Sequence, residues 1–478
     1  MSGEAVNGQS PSSLSKSSRK AHGYAPQYLS WGRYPSVEHN SVFQVSSAEQ
    51  VRSILASCGR GECLPRGLGR SYGDSCLNAG RTLLDCTQLS RILAFDDRSG
   101  RIRCEAGVSF DAIIGAALAK GWFLPVTPGT KFVTVGGAIA NDVHGKNHHR
   151  CGTFGAHLER IAVCRSDWGI VECSPRENAD LFRATVGGLG LTGVILWAEF
   201  RLREVAGTQI ESETIAFQSM EEFEAISQES DGDFEYTVAW IDCFCGPQTR
   251  GIFFRGNHDK REHSGEPPSW RQMRAPIPRF LLAPQAIAAF NAAYYHWNAL
   301  RAGQRTVSLD SFFYPLDGVR GWNLAYGKSG FLQYQCVVPD PATSTIEEML
   351  DRVRAENAGA FLAVLKRFGN LKSPGLLSFP RPGLTLALDF PMRGERTLQL
   401  LDSLDRIVSA AQGSVYPAKD ARMSAEMFEK SFPQWREFEH WVDPAMSSSF
   451  WRRVNRGRSQ NEGRSNQNKA RPSTPGYL

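Results

Sequence analysis

The chain has 478 residues, of which 41% are hydrophobic and 22% charged, and a formal net charge of +5. This composition suits a globular protein of two or three domains, and no window reaches the roughly 20 apolar residues that would cross a bilayer. The positive charge is local: from Arg452 onward seven basic residues face only Glu462, so the rest of the chain is near neutral and nucleic acid is not an expected partner.

Residues 1–25 are poor in hydrophobics, lack the apolar centre of a secretory signal and are expected to be disordered. The basic, Ser/Asn/Gln-rich residues 456–478 are read in the same way. Further on, VSSAEQVRSILASCGRG predicts a helix opened by Ser46 or Ser47 and closed near Gly59, GECLPRG a strand, and FDAIIGAALAKGW an amphipathic helix ending at Gly121. From Val42 to Val205 such elements alternate with glycine-rich turns, an α+β texture. The eleven cysteines form no C-x-x-C pair, and several, such as Cys104 and Cys164, sit in strand-like runs. They are expected to be core thiols in a reducing compartment, with no structural zinc.

Ser174-Pro175-Arg176-Glu177 reads as a capping box, and Ala179, Leu181, Phe182 and Ala184 continue it at helical spacing. That helix runs into Gly188-Leu189-Gly190-Leu191-Thr192-Gly193, which spells G-x-G-x-x-G. A dinucleotide fingerprint needs a strand before it and a helix after it. Here Ala198, Phe200, Leu202 and Val205 alternate with charged residues as a strand would, so the order is reversed and no helix amino end is offered to a phosphate.

Between about Thr208 and Val415 the strand-like runs lengthen (EYTVAWIDCF, GFLQYQCVVP, AFLAVLKRFG, LTLALDFPMR), separated by helices such as STIEEMLDRVRAEN. They predict a mainly antiparallel sheet with helices packed on one side. Residues 255–280 and 315–330 read as long mobile loops, the usual form of lids and binding segments. The run FLLAPQAIAAFNAAYYHW is assigned to the core rather than to a membrane surface.

Two segments carry the chemistry. In PRGLGRSYGDS a strand enters a turn dense in small residues, whose amides can converge on phosphate oxygens; a plain glycine turn reads equally well. In FLPVTPGTKFVTVGGAIANDVHGKNHH two glycine turns precede a small-residue run against which a flat cofactor ring can lie. His144, Lys146, His148 and His149 follow; the intervening lysine and the lack of cysteines at ligand spacing argue against a metal site.

Together the strings RGLGRSYGD, PVTPGT, VTVGGAIANDVHGKNHH, LFRATVGGLGLTG, GFLQYQ and YPAKDAR resemble the vanillyl-alcohol-oxidase type of FAD enzymes, and within it the branch acting on polyprenyl-phosphoryl ribose. The resemblance runs from about Trp31 to Val454. It implies a two-part FAD-binding domain, residues 26–206 and 416–455, with a substrate-binding domain, 207–415, inserted between. It also implies that Pro65, Arg66, Gly67, Leu68, Gly69, Arg70, Ser71, Tyr72, Gly73, Asp74 and Ser75 hold the FAD pyrophosphate. Gly129, Thr134, Val135, Gly136, Gly137, Asn141, Asp142, Val143 and His144 would line the flavin, and Gly188, Gly193 and Tyr416 would complete the site. Many relatives attach FAD through a histidine; Arg70 stands at that position and cannot form the link, so FAD is expected to be bound non-covalently.

For catalysis, Lys419 resembles the family lysine placed beside flavin and substrate, and desolvation can lower a lysine pKa enough to make it a base. Without the resemblance, an ion pair with Asp420 is the plainer reading of Lys419. Gln333 and Gln335 alternate onto one strand face, where two amides require hydroxyl partners such as a sugar supplies. Lys366 is similar to a substrate-facing lysine, and Tyr72 and His144 would frame the ribose in the catalytic centre. Where actinobacterial members carry a cysteine this chain has Ala387, so covalent inhibitors that rely on that thiol should fail.

The implied reaction is oxidation of the C2 hydroxyl of polyprenyl-phosphoryl-β-D-ribose to a 2-keto sugar, the first half of epimerisation to an arabinose donor. The implied partners are a short-chain NADH-dependent reductase and a membrane surface, for a cytoplasmic protein peripheral to the inner membrane. The alternatives are an FAD oxidase of a free sugar, alditol or aldonolactone, and a flavin-binding subunit with no oxidation chemistry of its own.

Overall fold

The computed structural model describes residues 28–246, 249–261, 271–273 and 275–455. The expectations for 1–25 and 456–478 therefore lie outside the described residues, as does the middle of the 255–280 segment.

Local capping sets the first elements. The Ser47 hydroxyl accepts the Gln50 amide and opens helix Ala48–Ser57. Ser109 does the same for Phe110–Ala117, whose continuation is stopped by Gly121 at φ 80°. Strands Ser41–Gln44, Thr82–Asp85 and Cys63–Arg66 form a small parallel sheet with Thr82–Asp85 in the middle. A five-stranded antiparallel sheet follows, in the order Ile92–Asp96, Arg101–Glu105, Val194–Arg201, Leu158–Arg165, Gly169–Cys173. Phe110, Phe154, Ile161 and Phe200 are among the side chains of its core.

The helix before the glycine turn exists but starts later than the capping box suggests. The Ser174 hydroxyl accepts the Arg176 and Glu177 amides, and the Glu177 carbonyl returns to the Ser174 amide. Those bonds close a separate turn, and helix Ala179–Thr185 begins only after Asn178 at φ 49°. The helix-turn-strand order around residues 188–193 is as expected, with Val194–Arg201 as the strand.

Eight strands make the largest sheet, in the order Gly303–Ser308, Gln209–Phe217, Gly251–His258, Tyr236–Ile241, Ala363–Phe368, Gly383–Pro391, Phe331–Val338, Ser414–Val415. Every neighbouring pair is antiparallel. Helices Met220–Asp233, Thr343–Ala355 and Glu395–Ala410 bury their apolar sides with Phe217, Ile241, Leu365 and Leu386 on one face. Helices on one side only is the part that fails: Pro284–Ala299 lies on the opposite face, where Tyr295 meets Trp240 and Ile252. That helix is core only on one side, where Ile287, Asn291 and Tyr295 are buried, while Phe290 and Trp297 are exposed. A run that is apolar and alanine-rich all round has no period from which to read its buried side.

Residues 416–455 touch both halves. Met446 bridges to Cys63, and Arg453 pairs with Asp74, while Phe428, Trp435 and Phe450 join the core of the eight-stranded sheet. The two loops expected to be mobile pair with each other, Arg271–Gln272 against Val319–Arg320, and Trp322 beyond them packs on Trp31 and Phe331. Cys58 and Cys63 form a disulfide, against the reading of the cysteines as reduced thiols: the turn from helix to strand brings these two together. Cys104 and Cys164 are buried and free. Among the described residues no helix is long and apolar enough to cross a membrane.

Candidate active site

Between the glycine loops and the eight-stranded sheet lies a cavity with about 1830 Å³ of unfilled space, part of it open to solvent. Pro65, Arg66, Gly67, Leu68, Gly69, Arg70, Ser71, Tyr72 and Ser75 form one wall. Gly129, Thr134, Gly136, Gly137, Asn141, Val143 and His144 form the next, and Leu189, Gly190 and Gly193 close one end. Facing them are Gln333, Gln335, Val364, Lys366, Thr385 and Ala387 of the sheet, with Tyr416, Ala418 and Lys419.

The two glycine segments meet because Gly67 carries no side chain where it faces Thr134. A Cβ on Gly67 would come within 2.1 Å of Thr134 Oγ1, the atom that accepts the Gly137 amide and caps helix Val135–Ala140. At the closed end, Gly193 has φ 134°, and a Cβ there would meet the Cys164 carbonyl at 2.6 Å.

Five expected FAD contacts do not reach the cavity surface: Gly73, Asp74, Val135, Asp142 and Gly188. Gly73 is pressed against the Asp420 carbonyl, and Asp74 is ion-paired with Arg453. Val135 is wholly buried in the core, Asp142 accepts the Gly155 amide and the Ser378 hydroxyl, and Gly188 abuts the Ala184 carbonyl and the Phe438 ring. These residues hold the walls from behind.

Several cavity groups are buried without a partner among the described residues: Arg66 Nε, Arg70 Nε, Asn141 Oδ1 and His144 Nδ1. Arg66 otherwise donates to the Leu29 carbonyl, and the Arg70 guanidinium lies 4.0 Å over the Trp31 ring. A phosphate-bearing cofactor with a flat polar ring suits this set, because backbone amides and two guanidiniums suit the anion and a small-residue wall suits the ring. Buried polar groups left unpaired are costly unless a ligand meets them.

On the sheet wall Gln333 and Gln335 are 6% and 5% exposed. Gln333 Nε2 donates to Asp389 Oδ1 at 2.5 Å, and Gln335 Nε2 donates to His144 Nε2 at 3.0 Å. His144 therefore carries its proton on the unpartnered Nδ1 and is held neutral by burial first and by Lys366 second. Lys419 Nζ lies 3.6 Å from the centre of the Tyr72 ring. It makes no ion pair with Asp420, whose carboxylate binds Arg453 and accepts the Arg422 and Met423 amides. Shielding from bulk water lowers the Lys419 pKa, Lys366 adds to that, and Asp389 opposes it. Lys366 is pushed down to about 8 and Lys146 to about 7, both chiefly by desolvation. The histidines that suggested a metal point apart: His149 bonds the Phe234 carbonyl and His148 packs on Phe368.

Sequence reasoning missed Asp389, a buried carboxylate whose Oδ2 has no partner among the described residues and whose pKa is raised by burial. Its signal was available in LTLALDF, where strand alternation puts Thr385, Ala387 and Asp389 on one face. Trp31 lines the cavity without such a signal, whereas Leu316, Asp317 and Trp322, which also line it, lie in the 315–330 segment read as a binding loop.

A model of FAD binding domains matches residues 40–174. A decaprenylphosphoryl-beta-D-ribose oxidase of Mycolicibacterium smegmatis is 34% identical over 440 residues, 87% of this chain and 94% of that protein. An uncharacterized protein of Streptomyces coelicolor is 33% identical over 350 residues, 69% of this chain and 94% of its own length. Mouse L-gulonolactone oxidase is 27% identical over 180 residues, 37% of this chain and 40% of that enzyme.

Proposed function

The chain belongs to the decaprenylphosphoryl-β-D-ribose oxidase family of FAD-dependent oxidoreductases, and from that premise we propose that it oxidises the C2 hydroxyl of a polyprenyl-phosphoryl-β-D-ribose to the 2-keto sugar. The observation that carries this reading is the wall opposite the glycine loops, where buried Gln333 and Gln335 and the desolvated Lys419 and Lys366 face one cavity. Amides matched to hydroxyls, a lysine with lowered proton affinity and a second cation for a phosphate are what a sugar phosphate alcohol requires.

Bound FAD supplies the acceptor for the hydride that leaves the sugar carbon. Pro65 to Tyr72, Gly136, Gly137, Gly193 and Tyr416 would hold it, non-covalently because the charged Arg70 guanidinium is no nucleophile for a covalent link. Lys419 accepts the hydroxyl proton at Nζ, and Asp389 behind Gln333 steadies the resulting ammonium. Gln333 and Gln335 orient the ring hydroxyls, Lys366 offsets the phosphate charge, and Tyr72 and neutral His144 frame the ribose. In this reading residues 207–415 form a substrate-binding domain inserted into the FAD-binding domain. A short-chain NADH-dependent reductase completes the epimerisation, and the chain works as a peripheral protein at the cytoplasmic side of the inner membrane.

Anaerobic titration of purified holoprotein tests the proposal. Polyprenyl-phosphoryl-ribose should bleach the yellow flavin absorbance; absorbance that never falls would overturn it. Bleaching by a free sugar or aldonolactone, with none by the lipid-linked sugar, would assign the chain to the other oxidase reading.

A further inference from the structure

We infer that helix Pro284–Ala299, with the turn before it and the residue after it, docks the protein onto an anionic lipid bilayer. The choice of occupant rests on the lipid-linked substrate proposed above. Phe280, Leu281, Phe290, Trp297 and Leu300 are all exposed, Phe280 by 70% and Leu300 by 87%, whereas the other large exposed hydrophobics among the described residues fall in separate stretches of the chain. Phe290 and Trp297 stand two turns apart on one stripe, about 110° around the helix from the side that buries Ile287, Asn291 and Tyr295. A clustered apolar patch marks an interaction site, where single exposed residues do not.

Charge selects the occupant. Residues 275–309 contain three arginines (Arg279, Arg301 and Arg305) and no aspartate or glutamate. The Arg301 guanidinium lies 3.7 Å over the exposed Trp297 ring, so a cation and an aromatic are presented together. Aromatic and aliphatic side chains beside arginines, with no acid among them, match the headgroup region of an anionic membrane.

Position links the patch to the cavity. Phe290 packs edge-on against Phe361 at 5.3 Å, and the next residue, Leu362, lines the cavity. Tyr294 packs on Trp240, the cross-strand partner of Val364, which also lines it. A sugar whose polyprenyl tail stays in the bilayer would thus have a short path from the patch to Lys366 and Lys419.

The test uses the full FAD-loaded chain and vesicles of phosphatidylcholine, alone or mixed with phosphatidylglycerol. Wild type should sediment with the mixed vesicles, less with added salt and less with phosphatidylcholine alone. Combined Phe290→Ser, Trp297→Ser and Leu300→Ser should weaken that binding about tenfold or more while leaving every arginine and the basic carboxyl-terminal residues in place. Flavin absorbance, and its bleaching by substrate presented in detergent, should be unchanged in the triple variant. That arm separates a failed surface from a failed substrate assignment. The inference is overturned if the wild type ignores the mixed vesicles or if the variant binds them equally well. It is also overturned if sedimentation in free solution shows a dimer that the triple variant dissolves, or if the variant loses only a protein partner.

Discussion

The two long walls of the cavity are built by opposite means. Along Pro65 to Ser75 the backbone and the Arg66 and Arg70 guanidiniums face the ligand, and the acidic charge behind them is neutralised, since Arg453 bridges Asp74 and Asp420 across more than 300 residues of chain. Along the sheet, side chains face the ligand and charges are left under-paired: Lys366 and Lys419 are desolvated, and behind Gln333 the Asp389 Oδ2 lacks a partner among the described residues. A paired buried network fixes shape, whereas desolvated groups acquire altered proton affinity. Damage to the first wall should therefore appear in stability and cofactor retention, and damage to the second in rate and pH dependence.

The sharpest break of that contrast is Lys419→Met. Removing a positioned base should lower kcat by about 10²- to 10⁴-fold, measured as the anaerobic rate of flavin bleaching. Melting temperature and FAD content should stay near wild type, because among the described residues Lys419 makes no ion pair on which the fold depends. Loss of FAD in this variant would erase the distinction between the walls.

Arg453→Ala should do the reverse. It leaves Asp74 and Asp420 buried without their shared cation and the Met423 carbonyl without its donor. Breaking such a pair typically costs about 3–5 kcal/mol. Denaturant unfolding should show that loss and FAD should dissociate more readily, while turnover per bound FAD is unchanged. A lower rate per bound FAD would show that the network reaches the chemistry.

The contrast also explains what could be read in advance. Backbone chemistry writes itself locally, so the Pro65–Ser75 loop and the Thr134–Gly137 turn were legible as glycine spacing, and the reversed order around Gly188 to Gly193 was legible from its flanks. Side-chain partnerships depend on register and return of the chain. Lys419 next to Asp420 invited a local ion pair, yet Asp420 is bound by Arg453, 33 positions away, and Asp389 meets Gln333 from 56 positions away. The exposed stripe of Pro284–Ala299 was hidden for another reason: apolar residues on every side give no phase.

Asp389→Asn sharpens the second wall. The negative charge of Asp389 favours the protonated Lys419, so its removal lets Lys419 release its proton at lower pH. The ascending limb of kcat/KM should already lie below the ~10.4 of an ordinary lysine, and the variant should move it further toward acid by on the order of one unit. Asparagine keeps an oxygen for Gln333 Nε2, so substrate orientation is preserved and the shift reads charge alone. A limb that moves toward alkali would mean that a group other than Lys419 takes the proton.

Ala387→Cys should change the rate least, since one sulfur in a roomy cavity is a small volume change, with turnover expected within about threefold. Its value is positional, because Ala387 pairs in register with Gln335 and lines the cavity. The native thiols of that cavity, Cys76 and Cys86, are kept protonated by burial, Cys86 with its pKa pushed up to about 12, so neither offers a ready thiolate. A thiol-directed reagent shaped for the site should leave wild type unmodified by intact mass and add once to the variant. Bound substrate should block that addition, since the labelled position shares a face with both glutamines. Labelling of the variant that substrate does not slow would put the sugar elsewhere in the cavity and detach the sheet wall from the chemistry.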